Sequence, residues 1–414
     1  MNAPNPEESL GEQDFRVALN RGARGPAGHP TRPEIRLLDP SFYARFDELT
    51  TWMRAEAPLY WDDETGIWGA ASHDLVSMMS REWHTFCSGQ GSRPESSVPS
   101  MINFDAPEHT KRRRLVGHGF TPRRVADHEP YLRAKVTELL DAVADRGRCD
   151  VVADIATPLP MFMIGRLMGL PEEDHNALLH WSDLFATGGE HIRSEVEHAV
   201  MQWNDYIMAK VAERRHSDGD DLVSLIVNAE WEGERLSDID IMFETMLVLV
   251  GGDETTRHVI SGGVAALLRH PEQLQRLRDD RSLLPTAIEE MLRWATPVRN
   301  MNRTATRDVD VDGLTIREGD RLLLLYPSAN RDEKVFDDPF RFDIGREPNA
   351  HVAFGAYGRH HCLGASLARL ELRILFEELL RRFDDMQLAT DHVEWRTGNF
   401  VLGPNEVPIT FSAR

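Results

Sequence analysis

His351–Gly364 reads HVAFGAYGRHHCLG, and the interpretation of the whole chain turns on it. Cys362 stands among Gly355, Gly358 and Gly364, with His360 and His361 directly before it. From Ala365 the pattern turns helical. Leu367, Leu370, Ile374 and Leu375 recur at i, i+3, i+7 and i+8, one buried face of a 3.6-residue period. The cysteine therefore lies in a glycine-shaped loop that feeds straight into a helix N-terminus. Free backbone N–H groups and the positive end of the helix dipole favour a thiolate there, which predicts a lowered thiol pKa. Glycines let the backbone fold close around the sulfur and turn its amides inward. A buried cysteine packed in a turn as a small hydrophobe fits the same residues equally well.

Composition bounds the rest. At 414 residues the length alone allows two or three domains, but no Pro/Gly/Ser-rich linker follows the N-terminal arm. Residues 1–32 are rich in Pro, Gly and charge and read as a disordered arm, leaving 33–414 as a single domain. The three cysteines, Cys87, Cys149 and Cys362, are too widely spaced for a disulfide framework and fit a reducing, cytoplasmic setting. No apolar run approaches the ~20 residues of a membrane span. The N-terminus lacks a charged-then-apolar signal pattern. A net charge of −21 argues against nucleic acid as a partner.

Along the chain, Ser41 is expected to cap a helix carrying Phe42, Phe46, Leu49 and Met53 on one face. Leu59–Trp61 and Ile67–Ala71 read as a β-hairpin, and Ser88–Ser100 as a polar loop of mobile composition. In Asp105–Arg113 (DAPEHTKRR) a helix from Pro107 would put His109 and Arg113 on one face. Lys111, Arg112, Arg114, Arg123 and Arg124 form a basic cluster, either a solvated helix face or a dock for an acidic partner. Helical patterns run from Pro122 to Arg215, broken at Phe185–Glu190 (FATGGE). Ser237 caps a helix whose Ile239–Val250 run is apolar nearly all round, hence buried. Gly251–Thr256 (GGDETT) then sets two glycines, each costing roughly 1 kcal/mol relative to alanine, and several polar residues inside it. Either the helix caps at Gly251, or the break in local consistency marks function. Continuation of the helical pattern to about Arg269 favours function. Glu290 and Arg293 pair at i, i+3, and Val309–Val311, Leu314–Ile316 and Leu322–Leu325 read as short strands.

These motifs, in this order, resemble those of the cytochrome P450 haem-thiolate monooxygenases. The cysteine loop is similar to FGxGxHxCxG: Gly358, His360, Cys362 and Gly364 fall in register, while Phe354 and Gly355 do so with one extra residue before Gly358. DAPEHTKRR resembles DPPEHxxxR, GGDETT resembles (A/G)Gx(D/E)T, and Glu290–Arg293 resembles the ExxR pair. Arg341, within DPFRFD, resembles the third member of a Glu-Arg-Arg triad. The likeness runs from about Ser41 to the end. It implies a mainly α (α+β) fold, helix-rich with small β-sheets, around haem b (iron protoporphyrin IX) whose iron takes the Cys362 thiolate as axial ligand. His109, Arg113, Arg303 and His360 would hold the propionates. Gly251 and Gly252 would let the long helix approach the haem, with Phe354 and Gly364 packed about the sulfur. Glu254 and Thr255 would relay protons to bound oxygen. Ser88–Ser100 would cover the substrate pocket, and the helix pair broken at FATGGE would open over it. Ferredoxin and ferredoxin reductase would supply electrons.

GGDETTRHVISGG and LLPTAIEEMLRWATPVRNM look like the bacterial steroid side-chain hydroxylases, which oxidise cholesterol or cholest-4-en-3-one at a terminal methyl. Phe243, Met246, Leu247 and Val250, with Pro297, Val298 and Met301 and with Phe400 and Val401, offer apolar side chains that the resemblance gathers above the iron. Hydroxylation of a terpenoid, polyketide or fatty acid is the alternative within that chemistry. A peroxygenase, or a non-catalytic haem sensor, would not need the Glu254–Thr255 pair.

Overall fold

The long apolar-then-polar run after Ser237 forms one continuous helix, and the rest of the molecule packs around it. The computed structural model describes residues 17–19, 21, 23, 25–187, 193–215 and 217–414. In chain order, α1 (Phe46–Glu56), β1 (Leu59–Asp62), β2 (Ile67–Ala70), α2 (His73–Arg81), β3 (Phe86–Cys87) and α3 (Glu108–Gly117) come first. Next are α4 (Glu129–Ala144), β4 (Arg148–Asp150), α5 (Pro158–Met168), α6 (His175–Thr187), α7 (Arg193–Arg214) and α8 (Asp238–Arg269). The final third holds α9 (Leu284–Ala295), β5 (Asn300–Ala305), β6 (Val309–Val311), β7 (Leu314–Ile316) and β8 (Arg321–Leu325). It closes with α10 (Ala365–Arg382), β9 (Phe383–Leu388) and β10 (Pro408–Ala413). The fold is mainly α with small sheets, and among the described residues no helix is long and apolar enough to cross a membrane.

Ser237 begins α8 with a reciprocal capping box to Asp240. Farther along, a Cβ on Gly262 would sit 3.2 Å from Ala295 Cβ, and one on Gly263 3.0 Å from Met291 Sδ. The glycine pair thus lets α9 cross α8 closely. The main sheet runs β1-β2-β8-β5-β3. Its centre, β8, is buried throughout and apolar after Arg321, as suits a strand covered on both faces. Leu322 and Leu324 join Trp68 and Val76 in one core, while Leu323 and Leu325 join Phe42, Leu49 and Met53 in another.

Several expectations change. The expected first helix is two, a short one at Pro40–Ala44 and then α1, and Asp39, not Ser41, caps the short one, its Oδ1 accepting the Ser41 N–H at 2.8 Å. The polar loop Ser88–Ser100 is tightly held. Ser92 N–H donates to Asn103 Oδ1 at 2.6 Å, Asn302 Nδ2 to Gly91 O at 2.9 Å, and Arg93 Nη1 to Asn300 Oδ1 at 2.8 Å. Polar composition shows the loop's own side chains but not the distant asparagines that satisfy it. Within the arm, Trp61 N–H meets His29 Nε2 at 3.1 Å and the Arg32 guanidinium lies 4.5 Å over the Trp52 ring. Residues 1–16 of the arm, and Gly188–Glu190 of FATGGE, lie outside the described residues.

Glu290 and Arg293 are each 0 % exposed and joined by two hydrogen bonds, 2.7 and 2.8 Å. Arg293 also donates to the carbonyls of Asn330, Pro339 and Arg341 at 2.8, 2.9 and 3.2 Å. The third charged partner is Arg346, its Nε 3.3 Å from Glu290, and not Arg341, which lends only its carbonyl. The turn closed by Arg346 N–H on Asp343 O, 3.0 Å, swings Arg346 back toward the pair and leaves the Arg341 side chain exposed. Arg346→Ala is therefore expected to cost about 1–3 kcal/mol by leaving Glu290 short of a charged donor. Arg341→Ala should stay within about 0.5 kcal/mol. Denaturant midpoints of the two variants decide it, and the reverse order would restore Arg341 to the triad.

Candidate active site

Backbone hydrogen bonds fold the cysteine loop onto itself. Cys362 N–H donates to Phe354 O at 2.8 Å, and His361 N–H to Gly358 O at 3.0 Å. Gly358 is demanded by space, since a Cβ there would lie 2.1 Å from Ser80 O. The extra residue is taken up by a three-residue turn, Tyr357 N–H to Gly355 O at 2.8 Å, with both residues at positive φ. Tyr357 then stacks on His361, ring centres 5.2 Å apart.

At the start of α10 the N–H groups of Gly364 and Ala365 bond toward the sulfur, and Arg113 and Arg369 add positive charge. Crowding of the sulfur by surrounding protein atoms outweighs all of them, although the residue keeps some access to solvent, and the thiol's pKa stands above its ordinary value rather than below it. A helix start alone does not make the thiolate here. A metal ion bonded to the sulfur would, because coordination removes the thiol proton outright. Cys362 keeps an exposed face from which it can bond such an ion.

Beside the loop, the expected propionate ligands converge. The rings of His109 and His360 lie 4.3 Å apart, and both nitrogens of buried His109 are without a partner. Burial, then the charge of Arg113, pushes His109 down to about 4. His360 is driven well below its usual range by burial and by Arg303, His109 and Arg113. Among the described residues none of these four groups has a carboxylate within salt-bridge distance. Arg113 donates to His361 O at 2.6 Å, and Arg303 to Asn302 O at 2.7 Å. A dianion with two separate carboxylates, as haem carries, fits this unbalanced positive cluster. Of the glycine pair, a Cβ on Gly251 would meet nothing within 4 Å, which suits a close-lying flat group. Gly252 is used otherwise, since its Cβ would fall 2.6 Å from Ile164 Cδ1 on α5.

Glu254 and Thr255 part company at once. The Thr255 hydroxyl donates to Gly251 O at 2.9 Å and stays partly open. Glu254 is buried, paired with Arg257 three residues on, 3.5 Å from Arg396 Nη1 and 3.8 Å from His258 Nε2. It also shares a hydrogen bond with Asp183 of α6, which holds Arg257 at 2.9 Å and Arg396 at 3.4 Å. Burial, reinforced by Asp253 and Asp183 against the pull of Arg257, raises Glu254 to about 8. Asp253, buried beside Ser182, rises to about 6. Asp183, Trp395, Arg396 and Asn405 line a surface cavity of about 340 Å³, so solvent reaches the outer edge of this cluster. Arg257 was legible as a second glutamate–arginine spacing, but nothing in the sequence flags Asp183 or Arg396.

Two of the three apolar stretches are joined. Arg299 N–H donates to Phe400 O at 2.8 Å and Leu402 N–H to Pro297 O at 3.0 Å, with Val298 bridged to Val401. Pro297 is buried, and Val298, Met301, Phe400 and Val401 are half-buried. On α8, Met246, Leu247 and Val250 are half-buried, while Phe243 is buried. The basic cluster is largely absorbed into the fold. Arg112 is buried, bonded to Glu108 and Asp240 at 2.6 Å each and to Glu244 at 3.2 Å. Lys111 pairs with Glu234 at 2.9 Å, and Arg114 covers the Trp231 ring at 4.6 Å.

A helical fold that presents one cysteine from a glycine loop, beside a cationic cradle and under a helix with a carboxyl–alcohol pair, defines the haem-thiolate class of enzymes. A cytochrome P450 family model matches residues 148–411. A steroid C26-monooxygenase of Mycolicibacterium smegmatis is 45% identical over 394 residues, covering 92% of this chain and 97% of that protein. A methyl-branched lipid omega-hydroxylase of Mycobacterium bovis is 36% identical, covering 92% and 95%. Among solved structures, a cytochrome P450 of Mycobacterium marinum in complex with pseudoionone superposes with a TM-score of 0.87 at 34% identity, covering 93% of this chain and all of that one. The chain belongs to the cytochrome P450 family and is a monooxygenase of that family.

The buried acids make stability depend on pH. For a carboxyl raised from 4.5 to about 8 on folding, the protonated form is the favoured one. Its contribution is whole below the unfolded value and is lost as pH rises through the folded one. Asp253 and Glu244, raised to about 6 and about 7, act in the same direction. The melting temperature should accordingly fall between about pH 5 and 8, and Glu254→Gln should flatten the upper part of that slope. Parallel slopes in calorimetric scans of the two proteins would show that Glu254 is not raised.

Proposed function

We propose that this monooxygenase binds haem b through the Cys362 thiolate and hydroxylates the terminal side-chain methyl of cholesterol or cholest-4-en-3-one. Ferredoxin and ferredoxin reductase are its electron donors in this reading, and residues 33–414 act as one domain. The observation that carries the substrate is the 45% identity, over nearly the whole chain, to a protein named a steroid C26-monooxygenase. The pocket chemistry supports it. The joined stretches Pro297–Met301 and Phe400–Leu402, with Met246, Leu247 and Val250, present mostly apolar side chains. A long apolar ligand gains about 25 cal/mol for each Å² buried there, enough to offset association costs for a sterol-sized molecule. Terminal-methyl oxidation needs a funnel that admits only the chain end, because the C–H bond at the neighbouring branch carbon is weaker. A methyl-branched lipid presents the same terminus, and the 36% identical omega-hydroxylase makes it the second reading.

Haem, when bound, supplies reductive activation of dioxygen at its iron and insertion of one oxygen atom into a C–H bond. The chain supplies the protons. Glu254, raised to about 8, is protonated at neutral pH and so is a proton source, replenished from the cavity beside Asp183 and Arg396. It shares no hydrogen bond with Thr255, so the proton crosses by rotation of Glu254 or through water. With its own hydrogen on Gly251 O, the Thr255 oxygen keeps lone pairs to accept a hydrogen bond from such a water and hold it in place, the proton passing along the water and not onto the alcohol.

Reduced holoprotein under CO should show the red-shifted Soret band of a thiolate ligand, and Cys362→Ser should abolish it. Cholest-4-en-3-one or cholesterol should shift the iron from low to high spin and be hydroxylated at the chain end, short terpenes binding more weakly. A shift with small terpenoids and none across a sterol panel would leave the family intact and remove the steroid. Thr255→Ala should still consume reduced nicotinamide through the redox partners but release more peroxide, with product per electron falling severalfold. An unchanged ratio would take Thr255 out of the relay.

A further inference from the structure

Next to the Glu290–Arg293 pair, α9 turns a second glutamate toward the cysteine loop. Glu289 receives Arg369 through two parallel bonds, Nε at 2.6 Å and Nη2 at 2.8 Å. Its other neighbour is His351, the first residue of the loop, with Nε2 at 3.0 Å. Because His351 Nδ1 accepts the Ala353 N–H at 3.3 Å, the proton sits on Nε2 and points at Glu289. Burial works against the Glu289 carboxylate, but Arg369 and His351 overcome it and hold Glu289 down to about 2. Arg369 is thus anchored at its far edge. Its guanidinium lies over Phe354, 4.6 Å from the ring centre, and Phe354 O is the acceptor of the Cys362 N–H. Arg113 and Arg369 are the positive charges that bear most on the Cys362 sulfur. Only Arg369 is stacked on the residue that carries the loop.

We propose that Arg369 is a positioning residue for the sulfur. Held by Glu289 and stacked on Phe354, it keeps a fixed positive charge beside Cys362 and so sets the reduction potential of the iron that this thiolate binds. The inference rests on the reading of Cys362 as the axial ligand. Its physical basis is general: a ligating sulfur gives less electron density to its metal when positive charge stands near it, and the reduced, more negative state is then favoured. Bidentate pairing with a glutamate and stacking on an aromatic face both require a planar guanidinium, which lysine cannot replace. Glu289 acts oppositely, since it partly cancels the same charge.

Redox titration of the haem-loaded protein tests this, with the ferrous–CO spectrum recorded on every variant. Glu289 is 30 % exposed and keeps His351, so replacing Arg369 leaves no ion unpaired in the core. Arg369→Gln should lower the potential, moving the reduced-to-oxidised ratio by about threefold to tenfold, a tenfold change being ~59 mV for one electron. Glu289→Gln should move it the other way, and the double variant should fall between the two. The thiolate CO band should persist in all three. Arg369→Gln at the wild-type potential with that band intact would overturn the proposal. So would a shift of both single variants in the same direction, which marks a loosened loop rather than a charge. Absence of the thiolate band from the wild-type protein would instead overturn the ligand assignment, and this inference with it.

Discussion

Two ions with no access to water have to be answered in full, and Glu290 and Arg293 are answered by irregular chain. Each loses several kcal/mol of hydration on burial, which their mutual attraction offsets only if the remaining donors and acceptors are also met. The carbonyls of Asn330, Pro339 and Arg341 meet the guanidinium, and Asp343 N–H, Arg346 and Asn349 meet the carboxylate. The pair thereby specifies a path for residues that no helix or strand would hold. Asn330 carries that path onward, its Oδ1 accepting the Val352 N–H at 2.7 Å where the cysteine loop begins. The ion pair does no chemistry, yet the position of the sulfur depends on it.

What the sequence shows directly is whatever lies within a few residues of itself. Helical period, the β1–β2 hairpin, the cap at Ser237, the i, i+3 pair and the glycine-shaped cysteine loop are all local patterns, and all form as read. Expectations that depended on a distant partner fared differently. Arg112 looked like part of a basic face, because Glu108 is nearby in sequence but Asp240 and Glu244 are not. Arg341 stood in for Arg346 because the turn at Asp343 that brings Arg346 back is not visible in a motif. The thiol direction failed for a related reason. Helix-start amides are local and legible, whereas the burial that outweighs them belongs to the assembled fold.

Interior charge falls into two groups. Among the described residues His109, Arg113, Arg303 and His360 gather with no acid in ion-pair contact, while Asp183, Asp253 and Glu254 gather with Arg257 and Arg396 around α8. The first group keeps its imidazoles neutral, the second keeps at least one carboxyl protonated. Both conditions cost stability in an apoprotein at neutral pH, and under the proposed function each cost has a use. Unpaired cations bind a dianion without first giving up another partner. An acid raised to about 8 yields its proton near neutral pH, where an ordinary glutamate would have none to give.

The location of that proton matters as much as its affinity. Glu254 and Thr255 are consecutive, and a helix sends consecutive side chains about 100° apart, so the acid cannot lie alongside the alcohol. Its proton instead sits where α6, α8 and the segment before β10 meet, held by Asp183 and bounded by Arg257 and Arg396. Protein and solvent meet at that junction, through the cavity that Asp183 and Arg396 line. Ser182 and Asp183 are successive residues of α6 and lie beside Asp253 and Glu254, the successive acids of α8. In the proposed relay the supply of protons is governed by how α6 lies on α8, while the cysteine loop is held from α9 through Glu289 and Glu290. The proposed oxygen chemistry thus draws on two separate supports, and neither includes the residue that carries the other's load.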